Sequence, residues 1–394
     1  MLQKSKEIFF ETVLHRRYLH QNPELSFKEI NTTNYISDFL AKIGVNHKIA
    51  LKSDPNLEEN DIGIVAWIGN GDKSIALRAD IDALPITENT GLDYCSQNQG
   101  IMHACGHDLH TAMLLSAAKL IKEYENQLNH QVVFIFQPGE EQLPGGAKLL
   151  IDSKILDNFN VQAFFGQHIN PEIKVGTIAT KSGQMMASTD EFHIKITGKS
   201  THAAQPHLGA DPIYAATDLI NFLYSLPNKF ANPLEPVVMA ITAFNSGNTT
   251  NIVPNEAKLM GTMRTYNQDL RNELKQVIKK HANKIVESHK CSLDFTILEG
   301  YPPLLNNSHL VNSVQETAVK ILVKENFQIA ESKMWAEDFA YYSQFAPSCF
   351  WFLGCSKPEQ DFYPLHNPKL NPDEEAMIIG TALMVALGLN YITK

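Results

Sequence analysis

The 394-residue sequence predicts an α/β protein with a smaller α+β domain inserted into it. Three observations carry this reading. Up to about residue 187, continuous apolar runs alternate with helical segments, the pattern of a largely parallel sheet covered on both faces. From residue 188 the runs switch to strict apolar–polar alternation, the pattern of half-buried strands. After residue 298 a helix, a buried strand and a helix return. The length also exceeds what one core usually spans. The predicted domains are therefore 1–187 with 299–394, discontinuous, and 188–298.

The elements follow in order. Phe9, Val13 and Leu14 mark one helix; Ile36, Phe39, Leu40 and Ile43 mark a second, stopped by Gly44. Strands are predicted at 62–69, 74–82 and 161–169, with a strand running into a loop over 131–141 and a helix at 110–126. In the insert, strands at 191–199, 236–244, 256–265 and 291–298 and helices at 211–226 and 268–288 give the order β-α-β-β-α-β, a ferredoxin-like unit. A helix at 309–325, a strand at 349–354 and a helix at 372–389 complete the chain.

Composition narrows the function. A formal charge of −10 argues against nucleic acid, which needs a basic surface. The longest apolar run, "IIGTALMVALGL", is too short to span a bilayer, and the N-terminus lacks a signal-peptide pattern. Five scattered cysteines do not form a disulfide framework, so a cytoplasmic location is expected.

The chemistry concentrates in "MHACGHD", residues 102–108. His103, Cys105, His107 and Asp108 are open to three readings: metal ligands, a thiol nucleophile with its base, or polar coincidence. Further candidates follow predicted strands: Asp80 and Asp82 in "RADIDALP", Glu140 and Glu141 in "FQPGEE", His168 in "GQHI" and His366 in "PLHNP". Open α/β sheets place their sites at such strand ends. Thiolate, imidazole and carboxylate together suit zinc and similar ions. Ligands this far apart in sequence suit a catalytic centre better than a structural clip. Of two adjacent glutamates, one can bind metal while the other serves as base.

"MHACGHDLHTAMLL", "FQPGEEQLPGGA", "GQH", "THAAQPH", "GTMRT", "AEDF" and "LHNP" resemble, in order and over about residues 8–390, the metal-dependent amidohydrolases of the aminoacylase/carboxypeptidase type. The branch that is most similar holds hippurate hydrolases, indoleacetyl-amino-acid hydrolases and N-acetyldiaminopimelate deacetylases. The resemblance implies a zinc-peptidase-like catalytic α/β domain and a lid domain that mediates dimerisation. It implies two divalent ions per chain, zinc or manganese, with cobalt or nickel as alternatives. Their ligands would be Cys105, as the bridge, with His107, Glu141, His168 and His366. Glu140 would be the general base, Asp80 and Asp82 positioning groups, and Asp108 would orient its neighbours. In the lid, His202 would reach an active site, its own or that of a partner subunit. Asn251 and Arg264 would bind substrate; Ser200 and Thr201 stand where relatives often have glycine.

The implied reaction is hydrolysis of N-acyl amino acids to a carboxylic acid and an amino acid, by a homodimer paired through the lid. The alternatives are an N-acetyldiaminopimelate deacetylase or dipeptidase of the same family, a cysteine-nucleophile amidase built on Cys105, and a non-catalytic binding module.

Overall fold

The structure is a computed structural model that describes residues 1–52, 61–322, 326–357 and 363–390. It divides into two compact units, Met1–Met185 with Leu305–Glu331 and Asp338–Lys394, and Met186–Leu304 with Ser332–Glu337. The short segment Ser332–Glu337, which falls within the predicted 299–394 part of the first domain, groups with the second unit.

The first unit is built on an eight-stranded sheet in the order Asn46–Leu51, Ile62–Ile68, Gln131–Gln137, Ser74–Asp80, Val161–Lys174, Ser348–Ser356, Ile178–Thr180, Phe327–Ile329. The four central strands are parallel. They read as largely apolar runs because both faces are covered. Helices His107–Lys122 and Ala376–Asn390 pack on one another and bury almost every side chain. The flanks depart from the expected largely parallel sheet. Ile62–Ile68 runs antiparallel to Gln131–Gln137, since residues 69–73 leave no room for a crossover helix before the next strand. The added edge strand Asn46–Leu51 is also antiparallel to its neighbour.

Three element ends shift, two of them at the site. The helix expected at 110–126 begins at His107, behind Gly106 in the left-handed region. The strand expected to stop at 169 continues to Lys174, so His168 lies inside it, opposite Phe352, and not at its end. The helix expected at 309–325 is Ser308–Ile321; residues 323–325 lie outside those described. No helix among the described residues is long and apolar enough to cross a membrane.

The second unit is a four-stranded antiparallel sheet, ordered Val237–Asn245, Glu256–Thr265, Asp190–Thr197, Ser292–Glu299. With its two helices this is the ferredoxin-like arrangement. Along Asp190–Thr197 burial alternates at every residue. Phe192, Ile194 and Ile196 pack beneath helices Pro212–Phe230 and Gln268–Ser288, while Glu191, His193 and Lys195 face outward. Asp211 and Asn267 cap the two helices by accepting backbone N–H bonds from their first turns.

One buried ion pair ties helix to sheet in this unit. Arg271 Nε and Nη2 donate to the two oxygens of Asp190 at 2.7 and 2.8 Å, and Nη2 also reaches the carbonyls of Thr189 and Gly300. Asp190→Ala strands that cation in an apolar setting. It is expected to cost about 3–5 kcal/mol, measured as a lower urea midpoint for the variant than for the native chain.

Candidate metal centre

The site is assembled from loops at one edge of the parallel sheet and from one strand interior. Gly106, at φ 88°, lets the 102–108 loop press against strand Val161–Lys174; a Cβ there would lie 2.2 Å from Ile169 Cδ1. That approach brings Cys105 Sγ to 3.3 Å from His168 Nε2. Cys105, His107 and His168 form one buried group whose donor atoms lie within 4.8 Å of one another. Cys105, Glu141 and His366 form a second, with His366 Nε2 3.1 Å from Glu141 Oε1. His107, Glu140 and Glu141 form a third. Cys105 is common to the first two groups.

Hydrogen bonding decides which of these atoms are available to a cation. His107 Nδ1 donates to Asp82, at 2.9 Å to the carbonyl and 3.1 Å to the carboxylate, leaving the Nε2 lone pair to face inward. That Nε2 is buried and makes no hydrogen bond among the described residues. His168 Nδ1 donates to the Ile169 carbonyl at 2.7 Å, so its Nε2 lone pair also points at the cluster. His110 lies close but is spent: Nδ1 donates to Asp80 at 2.6 Å and Nε2 accepts the Ile169 N–H at 3.0 Å. An orphaned imidazole nitrogen beside a thiol and carboxylates fits a divalent ion, with the outer partners fixing each ring's tautomer.

The electrostatics agree. Burial works against charge on His107, yet Asp80, Asp82 and Glu141 push its pKa up to about 10. Burial, then Glu141 and Glu140, push the Cys105 thiol well above its ordinary value. A cluster that holds protons this tightly is short of positive charge, which a divalent ion supplies. The same facts count against the cysteine-nucleophile alternative, since a catalytic thiol needs a lowered pKa.

Asp80 and Asp82 stand behind the cluster. Asp80 takes Arg78 Nη1 at 2.6 Å and His110. Against the cost of its burial, His107, Arg78 and His110 hold its pKa well below the usual range. Asp82 accepts the Glu141 N–H at 3.0 Å and Ser26 Oγ at 2.6 Å. Glu140 is buried, and its Oε1 accepts the Asp338 N–H at 3.4 Å. Asp108 points away from the cluster, accepting Arg16 Nε and His20 Nδ1 at 3.0 and 2.8 Å. His103 is buried with neither ring nitrogen hydrogen-bonded among the described residues, and burial lowers its pKa to about 4.

The remaining candidates lie in the second unit. His202 is exposed on a two-stranded ribbon, opposite Ile252. Its Nδ1 accepts the Ala204 N–H at 3.1 Å, which leaves the proton on Nε2. Asn251 adjoins it, its carbonyl accepting the Ala203 N–H at 3.0 Å. Arg264 is separate from that ribbon, half-buried, with Nη1 donating to the Met334 carbonyl at 2.9 Å.

Sequence reasoning gave no role to several side chains that hold the site. Arg78, Gln137 and Asp338 form a buried network in which Arg78 Nε and Nη2 donate to Gln137 and Asp338 at 2.9 and 2.8 Å. The available signal was an arginine inside an otherwise apolar strand, "SIALRAD".

Residues 76–390 match the model of peptidase family M20/M25/M40, and the chain belongs to that family. It is 39% identical to the N-acetyl-L-cysteine deacetylase of Bacillus subtilis (strain 168), over 92% of this chain and 84% of that protein. It is 34% identical to the IAA-amino acid hydrolase ILR1-like 4 of Arabidopsis thaliana, over 100% and 88%. Among solved structures it matches the Bacillus subtilis YxeP protein, described as a dinuclear metal-binding peptidase of the M20 family, with a TM-score of 0.80, 33% identity and 98% of each chain covered.

The roles expected of the paired glutamates, one binding metal and the other acting as base, can be told apart by substitution. Glu141→Gln is expected to lose metal on dialysis. Glu140→Gln is expected to retain metal, measured by elemental analysis, while turnover falls by at least about a hundredfold.

Proposed function

We propose that this chain is a metal-dependent N-acyl-L-amino acid amidohydrolase that releases a carboxylic acid and a free amino acid. One observation carries the reading: a buried thiol and buried imidazoles, with the His107 Nε2 lone pair unspent and the half-buried Glu141 carboxylate among them, lie beside the buried carboxylate of Glu140. A binding module has no use for that extra group. The names of the two relatives share an amino acid carrying an acyl group as the substrate.

In this reading Cys105, His107, Glu141, His168 and His366 hold two divalent ions, zinc or manganese, with cobalt or nickel as alternatives. Bound there, such ions supply Lewis acidity, which eases proton loss from water and polarises an amide carbonyl. The chain's own residues do the rest. The Glu140 carboxylate takes the proton of the attacking water and passes it to the amide nitrogen, so the C–N bond breaks with a neutral amine leaving. His202 offers its Nε2–H to the oxygen that gains charge in the tetrahedral intermediate. Arg264 or Asn251 is assigned to the substrate's α-carboxylate. The working form is a homodimer through the second unit, in the cytoplasm.

A panel of N-acetyl, N-benzoyl and N-acetyldiaminopimelate compounds with dipeptides, run on metal-loaded protein, tests the substrate class. Cleavage of N-acyl amino acids well ahead of dipeptides is expected. The reverse order would favour the peptidase reading, and relatives named thermostable carboxypeptidase give that reading its weight. Removing metal should abolish hydrolysis, and adding it back should restore it. His202→Ala should leave metal content unchanged and lower turnover by about a hundredfold, the scale of losing one oxyanion donor.

A further inference from the structure

Glu29 is fully buried just before helix Ile30–Lys42, at the position whose side chain ordinarily caps a helix. It makes no cap. Its Oε1 instead accepts the backbone N–H of Gly139 at 2.7 Å, in the loop that carries Glu140 and Glu141. Its Oε2 has no hydrogen-bond partner among the described residues. The backbone of Glu29 is itself fastened: its carbonyl accepts Thr33 Oγ1 at 2.6 Å, and that hydroxyl accepts the Gly63 N–H at 2.8 Å.

Two residues earlier, Phe27 sits at φ 63°, a conformation rare for an aromatic residue. Its ring lies against Gly139, which has φ 63° as well; a Cβ on Gly139 would fall 2.2 Å from a Phe27 ring carbon. Strain of this kind persists where the surroundings over-determine it. On the far side of Glu140, the Glu141 N–H is held by Asp82 at 3.0 Å. Glu140 is therefore flanked by two backbone amides, each fixed by a buried carboxyl group.

We propose that Glu29 is a positioning residue: by holding the Gly139 amide it sets the orientation of the adjoining Glu140 and Glu141. The consequence for turnover rests on the base and ligand roles given to those two glutamates above. What the clamp requires of Glu29 is an acceptor oxygen at this reach, not a negative charge. Burial, together with the charge of Asp82, raises its pKa to about 8, in keeping with a group that works while protonated. Glutamine keeps the oxygen, alanine removes it, and aspartate draws it back by one methylene.

The experiment compares Glu29→Gln, Glu29→Ala and Glu29→Asp. Amide hydrogen exchange of the peptide spanning residues 137–142 is measured in metal-free protein. The metal-loaded protein gives kcat, KM and the rate of metal loss to a chelator. Glu29→Ala is expected to expose the Gly139 amide to faster exchange and to lower kcat by about tenfold to a hundredfold, the range for removing a partner behind a metal site. KM should stay near the native value, and metal should leave faster. Glu29→Gln should behave like the native chain in every readout. If Glu29→Ala does not fold, Glu29→Asp carries the same test in milder form. Unchanged exchange and kcat in the folded Ala or Asp variant would overturn the clamp, and so would a Gln variant as impaired as Ala. Because exchange is read without metal or substrate, it stands apart from the catalytic reading. That reading fails on a different result, full activity in Glu140→Gln.

Discussion

Arg78 is the interaction on which the centre depends. It is a fully buried cation in the middle of the sheet, bonded at once to Asp80, Asp338 and Gln137. Two carboxylates buried this close would otherwise force one another to take up a proton. Paired with the Arg78 cation, each can orient further groups. Asp80 fixes His110, which in turn fixes the backbone beside His168. Asp338 accepts the Ala147 N–H and Gln137 Nε2, while its own N–H reaches Glu140. Removing one partner from such a network leaves a charge with nothing to answer it, at a cost of about 3–5 kcal/mol.

Arg16 plays the matching part on the other side of the 102–108 loop. Also fully buried, it donates to Asp108, Tyr94 and Glu374. Asp108 directly follows His107 in the chain, so anchoring its side chain to helix Phe9–Gln21, which carries Arg16 and His20, holds the first turn of helix His107–Lys122 in place. Burial opposes ionisation of Asp108, but Arg16 and then His20 hold its pKa far below the usual carboxylate range. The acidic groups near the centre thus divide in two. Those behind it are matched by arginines and histidines of the chain, and those facing it are left for an ion.

Much of this could be read from residue patterns. The switch from unbroken apolar runs to alternation marked the two kinds of sheet, because burial on two faces and burial on one leave different periodicities. Glu140 and Glu141 were placed correctly in the loop after strand Gln131–Gln137, whereas His107, read as part of a loop, opens a helix. His168 was recognised as a residue but set at a strand end, since "GQHINPEIK" changes from apolar to polar while the backbone ladder runs on to Lys174. The antiparallel flanks were not legible, because strand direction depends on what a connection can span. Arg78, Asp338 and Glu29 escaped for another reason. Their roles lie in pairings across long stretches of chain, and each alone is an ordinary residue type.

The spacing of the proposed donors has a kinetic consequence. Positions 105, 107, 141, 168 and 366 come together only after the central strands have paired, including Val161–Lys174 with Ser348–Ser356. Contacts so distant in sequence form late, since each closes a long loop before it gains anything in return. A nascent or partly folded chain therefore offers an ion no more than the Cys105–His107 pair, a weak and unselective foothold. Capture of metal by that proposed set would mark a finished sheet, making the ion a reporter of completed folding and not its nucleus.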